Sequence, residues 1–88
     1  MNVFYFSAAW CGPCKMMKPA YEKFVEKMGD RINSVIIDVD TDKDLVSKYN
    51  VRSVPSIVFE AGSEVKTLVG VQSITKLEEI VTEYESRN

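Results

Sequence analysis

The apolar run Val3-Phe4-Tyr5-Phe6 gives way to Cys11-Gly12-Pro13-Cys14, and helix-periodic sequence begins immediately afterwards. Four apolar residues in succession fit a strand covered on both faces, as in a parallel sheet, better than one with a wet side. Pro13 suits the first turn of a helix, where its missing N–H breaks no hydrogen bond. Met16, Met17, Ala20, Tyr21, Phe24, Val25 and Met28 recur at three- and four-residue spacing and form one apolar helix face. The sequence thus predicts a buried strand over 2–8 and a helix from Cys11 to about Met28, kinked at Pro19 and stopped at Gly29-Asp30. Two cysteines three positions apart at such a junction, in a chain with no others, read as a redox pair.

The remaining sequence extends the same alternation. A Val- and Ile-rich strand over 34–39 follows, and a strand–helix–strand order implies a right-handed parallel crossover. Asp40, Thr41 and Asp42 are N-cap candidates for a short helix carrying Leu45, Val46 and Tyr49. Strands over 56–59 and 64–69, joined at Ala61-Gly62-Ser63, make an antiparallel hairpin. Ser73 or Thr75 caps a last helix whose buried stripe is Ile74, Leu77, Ile80, Val81 and Tyr84. The expected fold is α/β in the order β-α-β-α-β-β-α, with a mixed four-stranded sheet and helices on both faces. It forms one domain over 1–88.

Composition removes several classes of function. A net charge of −2 lacks the basic excess of a nucleic-acid footprint. No apolar run approaches the ~20 residues that span a bilayer, and no basic segment precedes Val3 as in a signal peptide. The expected location is therefore cytoplasmic, with neither nucleic acid nor membrane as partner. Structural zinc usually takes four Cys or His ligands. With two cysteines and no histidine, no metal site is expected, and Cys–His nucleophilic catalysis is excluded. A structural disulfide is disfavoured where cellular thiols keep cysteines reduced.

What remains is dithiol chemistry. A thiol of pKa ~8.5 is mostly protonated at neutral pH, while the thiolate is the attacking species. Unpaired N–H groups and the helix dipole favour negative charge at the start of a helix, where Cys11 falls. Cys14 lies one turn on, within disulfide reach. Cys11 is expected to be the exposed nucleophile and Cys14 the more buried resolving thiol. Gly12 leaves room for a partner, and Pro13 stiffens the loop.

Trp10-Cys11-Gly12-Pro13-Cys14, together with Val54-Pro55-Ser56, resembles the thioredoxin family. Agreement continues through Lys15-Met16, Pro19, Asp38-Val39-Asp40, Tyr49-Asn50-Val51-Arg52, Gly62 and Val69-Gly70, and so covers essentially the whole chain. The resemblance implies a protein-disulfide reductase that binds no cofactor and cycles a Cys11–Cys14 disulfide. It implies electrons from NADPH through a separate thioredoxin reductase, protein disulfides as substrates, and a monomer. It also implies that Pro55 is the family's cis-proline facing the dithiol. Val54 would then pair with substrate backbone as an added strand, and Trp10, Gly12, Pro13, Val54 and Gly70 would form the docking surface.

The departures from the family are specific. The usual strand and helix before the active-site strand have no counterpart here, which suggests a minimal fold with one less-covered face and room for weak self-association. Tyr5 stands where the family has a buried aspartate, and Ile36 where it has the accompanying lysine. The expectation is that apolar packing replaces this charged pair and that Cys14 resolves more slowly, its proton going to solvent or to the leaving thiolate. Ser7 replaces a tryptophan and Ser53 a glycine near the site, which points to altered partner choice. Two other readings use the same cysteines. One is a glutaredoxin-like, glutathione-linked reductant. The other is a binding module that docks on a larger enzyme.

Overall fold

The computed structural model describes residues 1–87. Strand β1 (Asn2–Ser7) leads into helix α1 (Gly12–Met28), and a single 3-10 turn at Gly29–Arg31 delivers the chain to β2 (Asn33–Asp38). Helix α2 (Lys43–Lys48), the hairpin β3 (Ser56–Ala61) and β4 (Glu64–Val69), and helix α3 (Ile74–Ser86) complete it. The sheet order is β2-β1-β3-β4. β1 runs parallel to β2, with Tyr5 opposite Ile36, and antiparallel to β3, with Tyr5 opposite Ile57. β3 and β4 are antiparallel. This is the expected mixed sheet.

Side-chain alternation in the strands divides the interior into two layers. Val3 and Tyr5 of β1 with Ile57 and Phe59 of β3 meet Met17, Tyr21 and Phe24 of α1 and Leu77, Ile80 and Val81 of α3. The opposite face holds a smaller cluster of Phe6, Ile37 and Val58, covered by Leu45, Val46 and Tyr49 around α2. Phe4 and Val35 on that face are only half-buried, so one face does carry thinner cover. On the larger face, Lys27 of α1 and Glu78 of α3 form an ion pair at 2.7 Å.

Local chemistry sets the boundaries. Asp42 caps α2, its Oδ1 accepting from Leu45 N at 3.3 Å, and Ser73 caps α3, its Oγ accepting from Lys76 N at 3.1 Å. Of the two candidates for the last cap, Ser73 is the one used. α1 continues through Pro19, whose missing N–H leaves the Lys15 carbonyl without its helical donor. Gly62 takes φ 62° at the first central position of the hairpin loop, where a two-residue loop needs a positive φ. β3 runs to Ala61, two residues beyond expectation, because Glu60 and Ala61 still pair with Val65 and Glu64. Glu60 is also held by Asn2 and Tyr49 at 3.0 and 2.7 Å, and these hydrogen bonds draw its carboxyl below the usual range.

Two expected core residues lie outside. Met16 is 78% exposed, since successive helical residues sit about 100° apart and Met17 takes the inward direction. Ile36 is 56% exposed because β2 is an edge strand and the Ile36 side chain borders open pockets instead of the interior.

Candidate active site

The two sulfurs meet where β1 ends and α1 begins. Ala8 leaves the strand buried, its carbonyl accepts from Cys11 N at 3.1 Å, and the chain turns tightly into the helix. Cys11 is the N-cap of α1, with extended backbone angles, and its Sγ accepts from Cys14 N at 3.2 Å. A sulfur here takes the place of the usual Ser or Asp oxygen and satisfies one of the unpaired N–H groups of the first turn. Cys11 and Cys14 are joined as a disulfide with Cα atoms 5.3 Å apart. Gly12 and Pro13 between them are exposed, and a Cβ at Gly12 would meet nothing within 4 Å.

Both cysteines are buried, Cys11 at 4% and Cys14 at 3% exposure. The expectation of an exposed Cys11 is therefore corrected for this disulfide form. Capping turns the Cys11 sulfur back over the helix, and Ala8, Cys11 and Cys14 form one cluster with Val39 and Val54 packed against it. Exposure resides in the neighbours instead. Trp10 is 69% exposed, yet its Nε1 donates to Asp40 Oδ2 at 2.9 Å, which fixes the ring beside the disulfide.

A second segment reaches the dithiol from the loop before β3. The Val54–Pro55 peptide is cis, as the resemblance implied. Pro55 is buried, and its carbonyl accepts from Gly70 N at 2.8 Å, which ties the end of β4 to the same place. Gly70 has φ 89°, a conformation that favours glycine. Ser56 Oγ donates to the Ser53 carbonyl at 2.7 Å and braces the turn around Val54. Gln72 Nε2 donates to the Val69 and Gly70 carbonyls at 3.0 and 3.3 Å. Sequence marks Asp40 only as a cap candidate and family match and does not mark Gln72, since partners thirty residues away or on backbone carbonyls leave no local signature. Val69 and Val71, 62% and 57% exposed on either side of Gly70, add apolar surface there.

Beneath the disulfide, Tyr5 occupies the interior. It is 2% exposed, stacks on Tyr21 with ring centroids 4.4 Å apart, and donates its hydroxyl to the Cys14 carbonyl at 2.9 Å. Burial pushes its phenol above the ordinary tyrosine value, so it stays a neutral donor at neutral pH. The replacement of a charged pair by apolar packing thus holds for Tyr5 and fails for the exposed Ile36. Among the described residues, no group of three or more His, Cys, Asp or Glu is placed to hold a metal ion, and no helix is long and apolar enough to cross a membrane.

The sequence model of the thioredoxin family matches residues 1–83. The chain belongs to the thioredoxin family. The thioredoxin of Bacillus subtilis is 41% identical over 80 residues, spanning 90% of this chain and 77% of that protein. The thioredoxin of Mycoplasma genitalium is 41% identical over 73 residues, spanning 82% and 71%. Among solved structures, chloroplastic thioredoxin z superposes with a TM-score of 0.83 at 32% identity, covering 97% of this chain and 78% of that one. A thioredoxin mutant from Halobacterium salinarum gives 0.83 at 37%, covering 94% and 73%.

Membership fixes the chemistry. The protein is a thiol–disulfide oxidoreductase whose redox centre is a dithiol that needs no bound cofactor. The family implies disulfide-bearing proteins as substrates and a reductase as partner. The Tyr5 hydroxyl holds the helix start through the Cys14 carbonyl, which sets up a clean separation of packing from proton transfer. Tyr5→Phe is expected to lose about 1 kcal/mol of stability in urea unfolding, the usual net worth of a buried hydrogen bond. Insulin-disulfide reduction by the same variant should stay within about twofold of wild type, well under the ~100-fold minimum typical of a lost general base. A larger loss of turnover would make Tyr5 part of the proton path.

Proposed function

We propose that this single-domain protein reduces disulfides in other proteins, with Cys11 as the attacking thiolate and Cys14 as the resolving one. Cys11 attacks one sulfur of a partner disulfide, forms a mixed disulfide and expels the other sulfur as a thiolate. Cys14 then attacks Cys11 Sγ, closes the Cys11–Cys14 bond and releases the partner as a dithiol, so that two electrons have passed to the partner. The observation that carries this assignment of roles is the position of Cys11 as N-cap of a 17-residue helix. There the first-turn N–H groups and the helix dipole stabilise a thiolate.

Docking is assigned to Trp10, Gly12, Pro13, Val54 and Gly70, with Pro55 shaping the loop that faces the dithiol. Partner backbone would add as a strand along Val54. Electrons are assigned to NADPH through a separate thioredoxin reductase, which the thioredoxin relatives favour over glutathione. The protein would work as a cytoplasmic monomer.

Two measurements test this reading. The Cys11–Cys14 reduction potential, read by equilibration with glutathione buffers, is expected near −270 mV, roughly that of a thioredoxin-type reductant. A value near −120 mV, roughly that of a dithiol oxidant, would reverse the direction of electron flow. NADPH consumption with a bacterial thioredoxin reductase and insulin should depend on the protein. Turnover with glutathione and glutathione reductase alone would reassign the donor.

A further inference from the structure

If Cys14 is the resolving thiol, as proposed above, it must lose a proton before it attacks, and its surroundings restrict where that proton goes. Cys14 is 3% exposed, and a docked partner would close the Trp10 side still further. Tyr5 is spent as a donor to the Cys14 carbonyl at 2.9 Å. Behind Cys14, however, lies an open pocket of about 340 Å³ lined by Tyr5, Ser7, Cys14, Lys15, Lys18 and Asp38. Cys11, Trp10, Val54, Pro55 and Gly70 are not part of its wall, so it stays open when the docking face is covered. It has room for several waters at ~30 Å³ each.

The ionisable groups facing this pocket besides Cys14 come from three elements: Tyr5 of β1, Lys15 and Lys18 of α1, and Asp38 of β2. The lysines are cations at neutral pH and have no lone pair to accept a proton. Asp38 is the single carboxylate of the wall. Its Oδ1 accepts from Asp40 N at 2.8 Å, and its Oδ2 takes no hydrogen bond among the described residues.

We propose that this rear pocket is the proton exit of Cys14, with Asp38 accepting the proton through pocket water and Lys15 and Lys18 stabilising the thiolate left behind. The Cys14 S–H proton passes to water and on to Asp38, which returns it to solvent. The Cys14 electron pair forms the bond to Cys11 Sγ, and the bond between Cys11 and the partner sulfur breaks, its pair leaving with the partner thiolate. The carboxylate thus works from the edge strand, where Asp38 faces solvent, while the position under the dithiol is filled by Tyr5.

Rapid mixing of the reduced protein with an aromatic disulfide such as dithionitrobenzoate tests this, because its thiolate leaves unprotonated. The first release of chromophore reports attack by Cys11, and the second reports deprotonation and attack by Cys14. Asp38→Asn keeps the Oδ1 acceptor for Asp40 N and removes the base. It should slow the second phase about tenfold, less than the ~100-fold of a directly bonded base, because water intervenes. The first phase should be unchanged, and Asp38→Glu should restore the rate of the second. An unaltered second phase, or equal slowing of both phases, overturns the role of Asp38. Cys14→Ser run alongside must release a single equivalent. A second equivalent from it would remove the resolving role of Cys14 itself, a failure distinct from that of the pocket.

Discussion

Cys11→Ser is expected to lower insulin-disulfide reduction by on the order of 10³-fold or more, because losing the proposed nucleophile would remove the covalent route itself. Cys14→Ser should behave differently. It leaves Cys11 able to attack, so the protein should accumulate as a mixed disulfide with its partner, visible as a shifted band on non-reducing gels that collapses with dithiothreitol. The two outcomes follow from position. Cys11 caps α1 next to the exposed Gly12 and Pro13, whereas Cys14, one turn on, lines the rear pocket. Trapping by Cys11→Ser in place of Cys14→Ser would exchange the roles. The same pair of variants separates chemistry from simple docking. A binding module would keep its cellular effect in Cys11→Ser, and a reductase would lose it.

Phe59→Ala should produce a large loss of stability. Phe59 is fully buried in β3, opposite Val3 of β1 and Lys66 of β4, in the layer shared with α1 and α3. Removing a buried phenyl ring costs about 3–5 kcal/mol through lost transfer energy and the cavity left behind. At about 0.05–0.15 kcal/mol per residue, a chain of 88 residues has about 4–13 kcal/mol in all. Phe59→Ala therefore removes a large share of the total, and at about 4–8 °C per kcal/mol its Tm should fall by at least about 12 °C. Val65→Ala on the neighbouring strand, 51% exposed, should shift stability by less than about 0.5 kcal/mol. A drop of under about 4 °C for Phe59→Ala would mean that the two-layer interior does not bear the load described above.

Much of this architecture is written locally. The unbroken apolar run of β1 marks a central strand, and the 3.6-residue period of α1 and α3 marks the faces they bury. The caps at Asp42 and Ser73 mark where helices start. The cysteine pair declares its chemistry because a strand–helix junction is where a thiolate is stabilised. What sequence left open depends on distance in space. Met16 and Met17 fit the helical period almost equally well, and only docking on the sheet decides that Met17 turns inward. Ile36 reads as buried until the strand order places β2 at the edge. The burial of Cys11 follows from its sulfur capping its own helix, and Trp10 is fixed by Asp40 from the turn after β2. The rear pocket likewise exists only once β1, α1 and β2 are packed together.

β1 has neighbours on both sides, β2 and β3, and the dithiol follows directly from its C-terminal end. Amides of a doubly paired, covered strand exchange with solvent only when the whole molecule opens, whereas loop tips and strand edges exchange by local fraying. The redox centre is therefore anchored at the end of a strand whose amides should be among the slowest to exchange, a position β1 shares with β3. During the lifetime of the proposed mixed disulfide, a partner tethered through Cys11 would pull on one of the elements that yield last. Mechanical load on the covalent intermediate passes into the middle of the sheet and not into a hinge.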